Sequence, residues 1–202
     1  VDLIYGVPSS NLLTWQKNLN QALSFNIPHL STYALTVESK TILAHQLKNN
    51  EIQLLDDEWV KSQYDWMIIR LEEAGYENYE FSNFSKPGFN SVNNSNYWRG
   101  KPYLGIGPSA HSFDGKRKRS WNPCNNVKYL KSIQQGNLPS SFEELTTNEL
   151  FNEYLMTALR TSMGVSLQKI NDKFGEHYIR YLEKQVENHL MSQRLFWDGD
   201  AL

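Results

Sequence analysis

The sequence predicts an α/β domain followed by a mostly helical C-terminal part, and three observations carry that reading. A strand–helix–strand pattern opens the chain, a glycine- and aromatic-rich stretch with a hairpin signal follows, and from Thr146 onward apolar residues recur at helical spacing. With 202 residues, a chain buries roughly 70% of its unfolded surface, enough for a core without staples.

Val1 to Gly6 reads as a buried strand broken by Gly6 and Pro8, and Trp15, Leu19, Ala22 and Leu23 then recur on one helix face. After Pro28, HLSTYALTVE is rich in β-branched and aromatic residues and is apolar on both faces, as a strand covered on both sides should be. These elements form a βαβ unit: strands Asp2 to Gly6 and Leu30 to Val37 are expected parallel and adjacent, with Asp2 and Thr36 near the same end. Asp56 and Asp57 open a helix with Val60, Tyr64, Met67, Ile68 and Leu71 on its apolar face, stopped by Gly75, and YENYEFSNF supplies a further strand.

SAHSF and RKRSW flank Asp114-Gly115, a strong hairpin signal, and Asn125 to Gln135 reads as a short helix. Thr146 and Glu149 have capping-box spacing ahead of Leu150, Tyr154, Leu155, Ala158 and Leu159; Ser166 caps a second helix ended by Gly175. A third helix runs from about Glu176 to Ser192, and RLFWDGDAL begins another hairpin at Asp198-Gly199. The loop-like stretch between residues 136 and 146 sets the expected domains at 1–140 and 141–202. No internal repeat occurs. The chain begins without methionine, directly on an apolar strand, so a piece of a longer protein is expected.

A formal net charge of −2 gives no general pull towards nucleic acid, and no apolar run approaches the roughly 18 residues of a membrane span. The last three helices and a hairpin resemble a winged helix, yet the candidate recognition helix carries Glu176, Glu183 and Glu187 beside Arg180 and Lys184, so no nucleic-acid partner is expected. Cys124 is the one cysteine; it pairs with nothing inside the chain and cannot hold a metal cluster, which fits a reducing, cytoplasmic setting. The five histidines, His29, His45, His111, His177 and His189, are scattered without zinc-site spacing.

The chemistry concentrates in SNYWRGKPYLGIGPSAHSF, Ser95 to Phe113, where Tyr97, Trp98, Tyr103 and Phe113 surround Gly100, Gly105 and Gly107 without a regular period. Glycines there admit close approach of chain or ligand. GIGPSA matches the glycines of a dinucleotide fingerprint but not its strand–helix context. His111 is either a hydrogen-bonded core histidine or a ligand contact. Asp2, inside an apolar run, is expected to have a hydrogen-bonding partner, structural or ligand, because a lone buried carboxylate costs several kcal/mol. Lys116 to Arg119 is either a solvated hairpin tip or an anion or propionate clamp.

Several segments together resemble the oxygen-independent coproporphyrinogen III oxidase-like radical SAM family, and within it the haem chaperone branch. They are DLIYGVP (Asp2 to Pro8), STYALTVE (Ser31 to Glu38), AGYENYEFSNFSKPG (Ala74 to Gly88), NNSNYWRGKPYLGIGPSAHSF (Asn93 to Phe113) and LRTSMG (Leu159 to Gly164), spanning nearly the whole chain in family order. The resemblance implies the later part of a partial TIM-like radical SAM barrel followed by a mostly helical, winged-helix-like C-terminal domain. It implies S-adenosylmethionine and a [4Fe-4S] cluster in a full-length parent, the cluster's cysteines lying outside this chain, so that the fragment alone is expected to show no radical chemistry and to hold no bound cofactor. By resemblance Asp2, Thr36 and His111 contact S-adenosylmethionine at the barrel mouth.

The haem chaperone branch carries an HNxxYW-type motif; here the run is Asn93, Asn94, Ser95, Asn96, Tyr97, Trp98, with Asn93 where the motif has histidine. An amide is no normal haem axial ligand, which leaves Asn94, Asn96, Tyr97 and Trp98 as the porphyrin contacts the resemblance implies. The expected function is haem binding and delivery to an acceptor apoprotein. The alternatives are a coproporphyrinogen III dehydrogenase and a helical interaction module. Self-association through an exposed apolar barrel edge is also expected.

Overall fold

The computed structural model describes residues 1–202, which divide into two compact units, Val1–Ser91 and Val92–Leu202. The first unit contains β1 (Asp2–Tyr5), α1 (Leu12–Ser24), β2 (His29–Ala34), α2 (Ile42–Lys48), α3 (Asp57–Glu73), β3 (Glu77–Glu80) and β4 (Asn83–Ser85). Its sheet runs β1-β2-β4-β3. β1 and β2 are parallel, in register from Asp2 opposite Ser31 to Tyr5 opposite Ala34, so the βαβ unit forms as the pattern predicts.

The same register separates Asp2 from Thr36. Asp2 begins β1 level with Ser31, and Thr36 lies five residues further along, roughly 16 Å down the strand direction at about 3.3 Å per residue. They sit at opposite ends of the pair, against the expectation that they share one. Asp2 is also exposed instead of buried. Strand alternation explains this: Leu3 and Tyr5 turn to the core, which leaves Asp2 and Ile4 on the other face of an edge strand.

YENYEFSNF forms two antiparallel strands instead of one, β3 and β4, around a turn at Phe81 and Ser82. The Asn78 amide donates to the Glu80 carbonyl at 2.7 Å and the Glu80 carboxylate accepts from the Ser82 N–H at 3.3 Å, a side-chain network that closes the reversal. Behind the sheet, α1 and α3 bury Trp15, Leu19, Met67 and Leu71 against Leu30 and Phe84. Gln63 is buried among them; its side-chain oxygen accepts from the Gly6 N–H at 2.9 Å and its carbonyl from the Trp15 indole at 3.1 Å.

The second unit contains α4 (Val92–Trp98), β5 (His111–Phe113), β6 (Lys118–Trp121), α5 (Asn126–Gln134), β7 (Ser141–Glu144), α6 (Thr147–Ala158), α7 (Leu167–Phe174) and α8 (Glu176–Met191). The hairpin forms as predicted, its turn held by the Asp114 carboxylate, which accepts from the N–H groups of Lys116, Arg117 and Lys118. β7, not expected, continues the sheet by pairing with β6 from Trp121 opposite Ser141 to Lys118 opposite Glu144. That pairing carries residues on both sides of position 140 into one unit, and the division falls at residue 91 instead of near 140. The stretch read as irregular begins with a helix, α4.

Thr146 and Glu149 form the capping box of α6, Ser166 caps α7 and Gly175 separates α7 from α8, as their spacing predicts. Phe151, Val165, Ile170, Leu182, Val186 and Leu202 form their core. The turn at Asp198-Gly199 returns the chain so that Val165 and Leu202 exchange backbone hydrogen bonds.

Gly105 answers the question its stretch poses. Its φ is ordinary, but a Cβ there would lie 2.1 Å from the His111 carbonyl oxygen, and its N–H donates to Ser112 Oγ at 2.9 Å. The close approach is to the protein's own strand. Gly105→Ala is therefore expected to destabilise the second unit by more than Gly136→Ala, where open space leaves only a positive-φ cost of about 1 kcal/mol. Urea unfolding of both variants checks this, and equal losses would remove the close-approach argument.

Candidate functional site

The second unit encloses a cavity of about 580 Å³, inside the roughly 300–1,000 Å³ of small-molecule sites. Three parts of the chain wall it. Tyr97 and Trp98 close α4, Tyr103 follows, and Phe113 comes from β5; α6 contributes Glu153 and Tyr154, and α7 adds Phe174. Tyr97 meets Tyr103 edge-on at 4.8 Å between centroids, and Tyr103 lies 6.2 Å from Phe113. These are the tilted and edge-to-face arrangements that aromatic quadrupoles favour. The Trp98 indole N–H is enclosed without an acceptor, and an unmet buried donor costs about 1–3 kcal/mol. The Arg160 guanidinium lies 5.8 Å from the Trp98 ring centroid.

The electrostatics are one-sided. Arg99, Lys116, Arg119, Lys169 and Lys173 line the cavity against a single carboxylate, Glu153, in a chain whose net charge is −2. Arg119 spends its charge internally: Nη1 and Nη2 donate to Glu153 Oε1 and Oε2 at 2.8 and 2.9 Å, and Glu143 lies 3.8 Å away. The Glu153 hydrogen bonds hold the Arg119 guanidinium above its ordinary pKa. Burial raises the Tyr154 phenol, which donates to the Ser166 carbonyl and accepts from the Ser166 N–H, so it stays neutral near pH 7.

The cavity gathers Tyr97 and Trp98 but not Asn94, Asn96 or His111. His111 is exposed on β5, stacked 6.2 Å from Trp121, and so is not a core histidine. Asn94 is half-buried and Asn96 exposed on α4. In the first unit a smaller cavity of about 290 Å³ opens at the C-terminal end of β1, lined by Tyr5, Ser9, Ser10, Trp15 and Gln63. Neither Asp2 nor Thr36 lines it, and both are exposed. Sequence reading missed Glu153, Lys169, Lys173 and Phe174. The four-residue spacing of the two lysines was a visible signal, but which surface they face depends on how α7 packs.

Iron–sulfur clusters are held by several cysteine thiolates, whereas this chain supplies Cys124 alone, exposed, and gathers no group of three His, Cys, Asp or Glu side chains able to hold a metal ion. The residues present do not fit such a cluster. No helix is long and apolar enough to cross a membrane.

The fold is shared with coproporphyrinogen III oxidase (HemN) from Escherichia coli, described as a radical SAM enzyme: the TM-score is 0.75 at 20% identity, covering 98% of this chain and 49% of that one. No family model matches the sequence. Among curated relatives, heme chaperone HemW of Bacillus subtilis is 32% identical over 177 residues, 87% of this chain and 46% of that protein. HemW of Mycobacterium tuberculosis is 32% identical over 171 residues, covering 84% and 44%. The mitochondrial radical S-adenosyl methionine domain-containing protein 1 of Danio rerio is 31% identical over 180 residues, covering 83% and 40%. By sequence the chain is a homologue of proteins named heme chaperone HemW, and it shares the fold of HemN. It spans about half the length of the curated relatives it matches.

The Arg119–Glu153 pair should couple measurably, since both side chains are only about a third exposed or less, at 27% and 32%. A double-mutant cycle of Arg119→Ala and Glu153→Ala in urea unfolding is expected to give about 1 kcal/mol. A coupling indistinguishable from zero would demote the pair to a surface contact.

Proposed function

We propose that the chain forms the later strands of a partial TIM-like barrel and a winged-helix-like helical region of a radical SAM haem chaperone-like protein, and that it receives haem for delivery to an acceptor apoprotein. The observation that carries this reading is the position of Tyr97 and Trp98, which end α4 in the wall of the aromatic cavity. A flat macrocycle gains stacking and apolar burial there, and the cationic lining suits its carboxylates. The names of the matched relatives favour haem as the tetrapyrrole; the fold shared with coproporphyrinogen III oxidase keeps oxidation of coproporphyrinogen by a full-length parent as the second reading.

In such a parent S-adenosylmethionine would supply the radical chemistry. Among the contacts implied by resemblance, Thr36, just beyond the C-terminal end of β2, suits a barrel mouth better than Asp2 at the opposite end of the strand pair. His111 belongs to the other unit and stays with the reading by resemblance alone. Ile4, 53% exposed on an edge strand, supports self-association through that edge.

Haemin titration followed by absorption tests the haem reading. Wild type is expected to give a saturable Soret shift; Trp98→Ala should weaken binding about three- to tenfold, the worth of one aromatic contact. His111→Ala should leave it within about twofold, because His111 lies outside the cavity. A shift lost only in His111→Ala would move the haem to β5. Its absence from wild type would end the proposal.

A further inference from the structure

We propose that Lys169 and Lys173 on α7, which line the same cavity as the hairpin's Lys116, form a carboxylate clamp that makes the site selective for planar macrocycles with free carboxylate side chains. This rests on the reading of the cavity as a tetrapyrrole site and specifies what that site selects. The two lysines are one helical turn apart, so both project from one face of α7 and both line the cavity, next to Phe174. Two ammonium groups at that spacing, beside an aromatic wall, match a flat ring that carries adjacent carboxylates on one edge.

The lysine charges are available. Neither Lys169 nor Lys173 makes an ion pair, and neither does Lys116. The two carboxylates belonging to or touching α7 make their hydrogen bonds to neutral donors and not to the lysines: Asp172 accepts from the Gln168 amide at 2.8 Å, and Asp200 accepts from Ser166 Oγ at 3.0 Å and from the Gln168 N–H at 3.2 Å. Within the cavity the lone acid, Glu153, is occupied by Arg119. Asp114 in the hairpin turn offsets part of the Lys116 charge, so the lining cations without an ion pair are Lys169 and Lys173 on α7 together with Arg99 and Lys116, beside the aromatic side chains Tyr97, Trp98 and Phe113. In a chain of net charge −2, such a concentration attracts an anion locally and does nothing for nucleic acid generally.

The test compares haemin with haemin dimethyl ester, in which the ring is kept and both carboxylates are masked. Each is titrated into the chain at low and moderate salt by Soret absorption and tryptophan quenching. Wild type is expected to bind haemin about three- to tenfold more tightly than the ester, the range two partly exposed ion pairs can supply, and the advantage should shrink as salt rises. In the Lys169→Gln/Lys173→Gln double variant, with its helical content verified by circular dichroism, haemin should fall to the ester's affinity while the ester itself moves by less than about twofold. Equal wild-type binding of the two ligands overturns the clamp without needing any variant, as does an equal loss for both ligands in the double variant. Failure of wild type to bind either one overturns instead the tetrapyrrole reading on which the clamp rests.

Discussion

Arg119 reaches from β6 to both carboxylate oxygens of Glu153 on α6 and lies 3.8 Å from Glu143 on β7, so one guanidinium joins the three-stranded sheet of the second unit to its helices. A planar fork suits this place where an ammonium would not, because two parallel hydrogen bonds fix the angle between strand and helix as well as their distance. The cavity depends on that angle. Its walls come from both sides of the pair, Phe113 and Lys116 from the hairpin and Tyr154 and Thr157 from α6. The pair also engages the only acid in the lining, so the cavity wall offers its other cations no carboxylate partner.

The first unit is held by a polar contact of another kind. Gln63 sits in the apolar core yet satisfies the Gly6 N–H and the Trp15 indole, one with its side chain and one with its backbone. A buried amide without these partners would cost more than the two hydrogen bonds contribute. Its effect is to hold the loop after β1 against α1 and α3, and the smaller cavity forms where that loop turns, with Ser9 at a positive φ of 63°.

Much of the fold was legible in the sequence because short-range chemistry decides it. Thr146 with Glu149, Asn125 before α5 and Asp114 in the hairpin each bind backbone N–H groups a few residues away; the first was recognisable from spacing and the last from its Asp-Gly turn signal. What escaped was short or long-range. α2 and α4 have seven residues each and bury none, too little for a helical period to register. β7 is exposed at all four positions and has no burial alternation to read. The misplacement of Asp2 has the same origin as these misses: an apolar run reads as doubly buried, but whether both faces are covered depends on neighbours that the run itself does not specify.

The site was legible only by half, and the half that was missed explains the half that was seen. Tyr97 and Trp98 stood out as aromatic residues in a glycine-rich stretch, but alone they form one wall. The opposing wall comes from α6 and α7, whose residues read as ordinary amphipathic helix. α7 has two occupied faces: Ile170 is fully buried in the helical core, while Lys169 and Lys173 face the cavity. In eight residues the helix cannot turn one face to a core and another to a cavity unless its ends are fixed. Ser166 Oγ accepts from the Lys169 N–H at one end, and at the other Gly175 donates to the Asn171 carbonyl. The caps that made α7 predictable from sequence are thus also what aims its lysines, and local capping chemistry becomes electrostatics at the site.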